Sequence, residues 1–314
     1  MQICYIILAH RYPKQVRRLI QKLAVPEAFF YVHIDKNVLI DSFSEQLTDL
    51  PNVSFVEDRR YIIWGDIEIV NATINSLKQI LKDNRNGYCV LLSGQDYPIK
   101  SNDEIKSFLA KNSGNEFIDV FSLPTKYWST SRIEKYKFNL SRKKEDFVQI
   151  SSALEAEFFT KKSLNKIYRL IKAGRYDFVF KIFKRRKFPN YIKPYGGSQW
   201  WVLRTETIEK IIGFIKDHPD YLKYHKYSLI PDEMFFQSIV MYLIENKNNI
   251  KIMPFLTYAN WEKKNCDLPV TFTSIDFEEL NSQAYFKLFA RKFDIGIDEE
   301  ILNKIDTFHS QMNL

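Results

Sequence analysis

The chain is poor in the residues that build metal centres and disulfide frameworks. Its 314 residues include three cysteines and five histidines. Cys4, Cys89 and Cys266 are far apart and form no Cys-x-x-Cys pair. Cys4 and Cys89 lie inside apolar, strand-like runs, so buried free thiols are expected. The histidines form no His-x-His or His-x-x-x-His pair, which leaves zinc chemistry almost without support. No apolar run reaches the length of a transmembrane helix. The opening "MQICYIILAH" has no basic lead-in, and its apolar run is as short as a buried strand. It does not read as a signal peptide, and a cytosolic protein is expected. "LAHRYPKQ", at the end of that run, holds no glycine, which argues against a dinucleotide oxidoreductase and a P-loop NTPase.

What is present is a globular composition, 45% hydrophobic and 27% charged, with a high aromatic share of 15%. So many Phe and Tyr suit a large core and surfaces that stack on flat or ring-shaped ligands. The net charge of +8 is unevenly placed. Lys126 to Lys193 contains 19 Lys/Arg and 6 Asp/Glu, a net +13 that leaves −5 for the remainder. "KKSLNKIYRLIKAGRYDFVFKIFKRRKFPNYIK" reads as two amphipathic helical segments hinged near Gly174. Leu164, Ile167, Leu170 and Ile171 form one stripe; Val179, Ile182 and Phe183 form the other. A solvated face of a helical insertion, docking of 161–193 on an anionic membrane, and a grip on acidic polysaccharide all fit this pattern. Nucleic acid is not expected, because no recognition motif accompanies the charge.

Before this region, apolar runs alternate with helical periodicity. Strands are predicted at 3–10, 28–35, 53–57, 87–94 and 116–121, and helices at 13–24, 67–83 and 102–111, the last capped by Ser101 or Asn102. Such alternation builds an α/β fold with a mainly parallel sheet and helices on both faces. Ligands bind beyond the carboxyl ends of its strands, where Ala9-His10, His33-Ile34-Asp35, Glu57-Asp58 and Gly94-Gln95-Asp96 converge. Further on, "GGSQWWVL" leads into a strand and a helix capped at Thr205. Pro231 opens another helix whose first turn carries Asp232 and Glu233. As helix-start acids the pair could simply complement the dipole, at about 0.3–1 kcal/mol each. With no repeat and no flexible linker, one domain is expected: 1–125, a basic helical insertion at 126–193, and 194–314.

Seven segments, "ILAH", "YVHIDK", "YIIWGD", "LLSGQDYPIK", "GGSQWWVL", "PDEMFFQ" and "LFARKFD", follow one another from Ile7 to Asp294. This succession resembles the Core-2/I-branching family of inverting glycosyltransferases, the β-1,6-N-acetylglucosaminyltransferases and peptide O-xylosyltransferases. The membrane anchor and stem of animal members are not matched in these segments, so the resemblance points to a bacterial, cytosolic-side member, expected in the cytoplasm or peripherally on the inner face of the cell membrane. It implies a GT-A-like fold whose 1–125 half binds the nucleotide sugar and whose 194–314 half carries acceptor and catalysis. It also implies a UDP-sugar donor, N-acetylglucosamine being the first expectation ahead of xylose, glucose or galactose, and a glycan or lipid-linked glycan acceptor.

Residue by residue, Glu233 matches the family's catalytic base, which leaves Asp232 a structural role. Lys292 matches the lysine that holds the leaving diphosphate, with Arg291 beside it. A second basic residue upstream is replaced here by Val270 or Pro269, so Arg291, Lys263 or Lys264 would have to supply that charge. Asp35 resembles the position that meets the nucleoside, and Tyr61 a donor-side tyrosine; core packing of Tyr61 and Trp64 is the plain alternative. Trp261 resembles an acceptor-pocket tryptophan, with Trp200 and Asp96 on the same side, although Asp96 could instead fix its loop. Gly196 to Gln199 suggest a wall of close backbone approach. The family works without metal, and no Asp-x-Asp stands at Asp96, so no metal or other cofactor is expected. Two other classes remain: a non-catalytic basic binder of polysaccharide or membrane, and a glycoside hydrolase with two carboxylates about 5–9.5 Å apart.

Overall fold

The computed structural model describes residues 1–126 and 128–312. Seven strands form the central sheet in the order Lys251–Met253, Asn115–Ile118, Trp201–Arg204, Gly87–Ser93, Gln2–Ala9, Ala28–Ile34 and Val53–Phe55. Every pairing is parallel except the two made by Trp201–Arg204, which runs against both neighbours. The continuous apolar run of Gln2–Ala9 follows from its place in the interior of this sheet. Its alternate side chains feed two separate cores: Ile3, Tyr5 and Ile7 one, Cys4, Ile6 and Leu8 the other. The first core is closed by the helices Pro13–Leu23, Asn102–Lys111 and Glu300–Met312; the second by Glu68–Lys82, Thr205–Asp217 and Phe235–Glu245. Cys4 and Cys89 face each other across two neighbouring strands as free, buried thiols.

Local chemistry sets the element ends, in places differently from expectation. Ser101 caps its helix, with Glu104 completing a reciprocal capping box. Thr205 is the first helical residue and not the cap; its hydroxyl instead accepts from the Gly87 N–H at 3.1 Å, pinning the helix to the sheet. The helix expected from Pro231 is interrupted. Pro231–Glu233 is a single tight turn, Met234 breaks from helical geometry, and the helix proper runs from Phe235. The run at 116–121 divides likewise, Phe121–Ser122 leaving the sheet to pair with Tyr195–Gly196.

The basic region builds a small body of its own. A hairpin, Tyr136–Asn139 with Phe147–Ile150, is covered by the helix Lys161–Lys172 and by the turn and short helix of Tyr176–Ile182. Between these two segments Gly174 takes a φ of +68°, which makes it the hinge. Their shared core holds Tyr136, Phe138, Val148, Ile150, Leu170, Phe178 and Ile182. Each expected stripe is divided: Leu170 and Ile182 are buried, while Leu164, Ile171, Val179 and Phe183 are exposed.

Candidate active site

Glu233 owes its position to the turn before it. Ile230 adopts a left-handed conformation and Pro231 fixes the next φ, so the chain reverses into Pro231–Glu233. Two backbone bonds hold the turn: Ile230 N–H donates to the Gly65 carbonyl at 3.1 Å, and Gly197 N–H donates to the Glu233 carbonyl at 2.9 Å. Gly197 can make that approach only as glycine, since a Cβ would stand 1.8 Å from the Asp119 carbonyl oxygen. Gly196 is similarly filled by Trp128, 2.7 Å from where its Cβ would be. The close-approach wall expected of this segment is therefore built by Asp119 and Trp128.

The Glu233 carboxylate is partly exposed and accepts from Arg132 Nη1 at 2.8 Å. The Arg132 guanidinium lies over the Trp128 ring, 3.6 Å from its centroid. Burial raises the Glu233 pKa above the usual carboxylate range, while Arg132 and the more distant Arg291 pull it back. Neighbouring Asp232 is buried and is pushed up to about 7, by loss of solvent first and by the Glu233 charge second. Its Oδ1 has no hydrogen-bond partner. The arrangement gives a reachable carboxylate able to take a proton, beside a second acid that burial holds partly neutral.

Asp96 and Arg291 face each other across two short strands, Asp96–Pro98 and Phe289–Arg291. Asp96 is fully buried, accepts from the Ser93 N–H at 2.5 Å and lies 3.5 Å from Arg291 Nε. Burial raises its pKa, and Arg291 opposes the shift. Arg291 stacks on the Trp200 ring at 4.1 Å and senses Asp96, Asp232 and Glu233 together. Trp200 is buried beneath that guanidinium. Arg291 thus links the Glu233 turn to the next residue, Lys292.

Around Lys292 the charges are nearly all of one sign. Burial depresses its pKa first; Lys144, Arg291 and Arg11 add to the effect, and Asp267 alone opposes it. Lys292 exchanges backbone hydrogen bonds with Val270 and Phe272, so Val270, one of the two candidates for the replaced basic position, lies directly beside it with a buried side chain. Of the proposed substitutes, Lys263 is engaged with Asp276 at 2.9 Å and Arg291 with Asp96. The hairpin loop of the insertion supplies Lys144 to this group, with Arg142 on the same loop. Arg142 and Lys36 both approach the Tyr61 ring, at 5.6 Å and 5.3 Å from its centroid, and Lys144 lies over Trp64 at 5.3 Å.

Tyr61 and Trp64 are therefore surface rings set among cations, with 48% and 41% exposure, and not core residues. Asp35 stands at the same rim, where its Oδ1 accepts from Asn37 N–H at 2.8 Å and Asn37 Nδ2 at 2.9 Å. Trp261 projects into solvent from the segment after Thr257–Ala259. The structure joins Glu233, Arg291, Lys292, Asp96 and Trp200 in one connected group; Tyr61 and Asp35 adjoin it through the insertion loop. No described contact ties Trp261 to them.

Sequence reasoning passed over Arg132, Lys137, Arg142, Lys144 and Arg186. Buried Lys137 donates to the Gly65 carbonyl at 3.0 Å, the same oxygen that anchors Ile230, and so fastens the Tyr61–Asp66 loop to the Glu233 turn. Arg186 donates to the carbonyls of Arg132 and Lys135, each at 3.0 Å, and to Ser228 Oγ. It holds the segment bearing Arg132 against the one leading to Glu233. Among the described residues, no three His, Cys, Asp or Glu side chains are grouped to hold a metal ion. No described helix is long and apolar enough to cross a membrane.

Residues 3–284 match the family described as Core-2/I-Branching enzyme. Xylosyltransferase 2 of Rattus norvegicus is 24% identical over 337 residues, covering 98% of this chain and 34% of that protein. Xylosyltransferase 1 of Homo sapiens is 24% identical over 329 residues, covering 98% and 30%. The chain spans about a third of the length of these curated relatives. A solved 4-diphosphocytidyl-2C-methyl-D-erythritol synthase from Anaerococcus prevotii superposes with a TM-score of 0.39 at 11% identity, covering 90% of this chain and 95% of that one.

Proposed function

The chain belongs to the Core-2/I-branching enzymes, a family of glycosyltransferases, and on that premise we propose that it moves a sugar from a UDP-sugar to a hydroxyl of a glycan acceptor with inversion. The observation that carries the proposal is the pairing of the Glu233 carboxylate with a neighbouring cluster of cations around Lys292. Glu233 takes the proton of the acceptor hydroxyl as its oxygen bonds to the anomeric carbon. The bond from that carbon to the diphosphate breaks on the opposite side, and the diphosphate departs with the electron pair. Lys292 and Lys144 receive its charge, and Arg142 and Lys36 stand near the Tyr61 ring on which the donor rests. With this many cations the departing charge needs no metal.

The nucleoside lies toward Asp35 and Tyr61, and the acceptor toward Trp261. Asp96 and Trp200 serve by fixing Arg291, which is how their contacts are spent. The whole chain acts as one domain, since strands on both sides of the 126–193 insertion share the central sheet. N-acetylglucosamine is the donor sugar suggested by the segment pattern; the names of the xylosyltransferase relatives favour xylose as a second reading.

Binding of a UDP-sugar panel in EDTA and then with Mn²⁺ separates these donors and tests the metal-free reading. Glu233→Gln is expected to lose about 10²–10⁴-fold in transfer rate with donor binding nearly intact. Undiminished transfer by that variant removes Glu233 as the base. Failure to bind any UDP-sugar would favour a non-catalytic binder.

A further inference from the structure

The insertion leaves two apolar stripes uncovered, and both have helical spacing. On Lys161–Lys172, Ile167 and Leu170 face the hairpin, while Leu164, Tyr168 and Ile171 point to solvent at i, i+4 and i+7. On the neighbouring segment Phe178 and Ile182 face inward, and Tyr176, Val179, Phe180 and Phe183 point outward at i, i+3, i+4 and i+7. Phe180 is 84% exposed, Leu164 67% and Phe183 66%. Each segment thus has an inner apolar face that packs on the hairpin and an outer one that packs on nothing described. An ordinary soluble helix has only the first.

The charges beside these stripes identify the occupant. Lys161, three residues before Leu164, and Lys172, four after Tyr168, flank the first stripe. Lys184, four residues after Phe180, flanks the second, and Lys162 and Lys187 are also exposed nearby, whereas Arg169 and Arg185 pair with Asp146 and Glu155. Apolar side chains rimmed by Lys and Arg match the depth profile of an anionic bilayer: acyl chains below, phosphate and carboxylate headgroups at the level of the amines. A second copy of the chain would meet this rim with its own positive charge. A soluble acidic polysaccharide would meet the cations and leave the phenylalanines in water.

We propose that the outer face of residues 161–187 docks the protein peripherally on an anionic membrane surface, with Leu164, Tyr168, Ile171, Phe180 and Phe183 entering the headgroup boundary. The same hairpin carries Arg142 and Lys144 on its loop, so the membrane face and the candidate donor site share one small support. Docking itself depends on neither Glu233 nor any donor.

The test is co-sedimentation of the full chain with vesicles of phosphatidylcholine alone or with about one-third phosphatidylserine, at low and moderate salt. Binding to the anionic vesicles only, weakening with salt, is expected. The variant Leu164→Ser/Phe180→Ser/Phe183→Ser is expected to bind at least tenfold more weakly, as is Lys161→Ser/Lys172→Ser/Lys184→Ser, with circular-dichroism melts like wild type because all six side chains are exposed. Absence of vesicle binding by a folded wild type overturns the proposal. So does anionic-vesicle binding that the apolar variant leaves unchanged, which would assign the face to charge alone. A concentration-dependent dimer dissolved by the apolar variant would assign it to self-association and equally overturn it.

Discussion

Arg132 is the residue through which the candidate base can be tuned without being touched. Its guanidinium donates to Glu233 at 2.8 Å, and the two side chains retain 18% and 27% exposure. Two unit charges about 4 Å apart attract by about 1 kcal/mol in water and about 4 kcal/mol at an effective dielectric of ~20. Partial exposure places this pair toward the lower end, and discounting for screening leaves about 1–2 kcal/mol. At ~1.4 kcal/mol per pKa unit, that is about one unit. The sign is fixed: Arg132 favours the charged carboxylate, so Arg132→Met should raise the Glu233 pKa by about one unit. A base must be ionised, so the acidic limb of the pH–rate profile should move up by the same amount, with the rate recovering at higher pH. A ¹³C NMR titration of the Glu233 carboxyl measures the shift directly, whatever the substrate. A pKa that stays in place or falls would refute the electrostatic link, and an unchanged limb despite a shifted pKa would remove Glu233 from the proton transfer.

Three further outcomes follow from the geometry. Lys144→Ala and Arg142→Ala should each weaken UDP binding several-fold and flatten its salt dependence, measured by calorimetry, whereas Lys263→Ala, whose amine is held by Asp276, should leave it unchanged. Gly197→Ala places a methyl against the Asp119 carbonyl, where backbone cannot yield, so destabilisation at or above the upper end of the ~1–3 kcal/mol range for overpacking is expected, with a lowered Tm and impaired transfer. Buried His33 accepts from the Arg60 N–H at 2.9 Å, and burial lowers its pKa to about 4. The unfolded chain therefore binds the extra proton between about pH 6.5 and 4, so His33 removes stability as pH falls through that window, by up to roughly 3 kcal/mol. Denaturation of wild type and His33→Gln across the window isolates this contribution: the pH dependence should be weaker in the variant.

Much of the fold was legible because each buried strand announces itself. "ICYIILAH", "AFFYVHID" and "GYCVLLSG" are apolar on both faces, and the helices between them carry a one-sided stripe. Where Trp201–Arg204 would lie was not legible, since four apolar residues fit a parallel or an antiparallel slot equally well. The site was half legible. Glu233, Arg291 and Lys292 stand in distinctive local sequence. Arg132, Lys137 and Lys144 are hidden among 19 basic residues, and nothing local separates the lysine that turns inward to Gly65 from those that stay in water. Only tertiary packing, which the periodicity of a charged run does not encode, makes that choice. The stripes at 161–183 fail for a related reason: Leu164 and Leu170 look alike in sequence, and which one is covered depends on where the hairpin lies.

The reversed strand also governs the order in which the chain can be completed. Gly87–Ser93 and Asn115–Ile118 leave the ribosome well before Trp201–Arg204, yet neither can pair with the other, because the late strand occupies the slot between them. Until it arrives, both have an unpaired edge with open N–H and C=O groups, a state prone to pairing with other chains. The N-terminal segment, with its complete set of rim residues from His10 to Asp96, is thus a nascent half-sheet waiting on a template strand. Everything in the insertion, including Arg132 and Lys144, is synthesised during that wait. The cations of the insertion and the strand that joins the two parts of the sheet are therefore delivered by adjoining stretches of the same chain, and Glu233 and Lys292 follow them to complete the site.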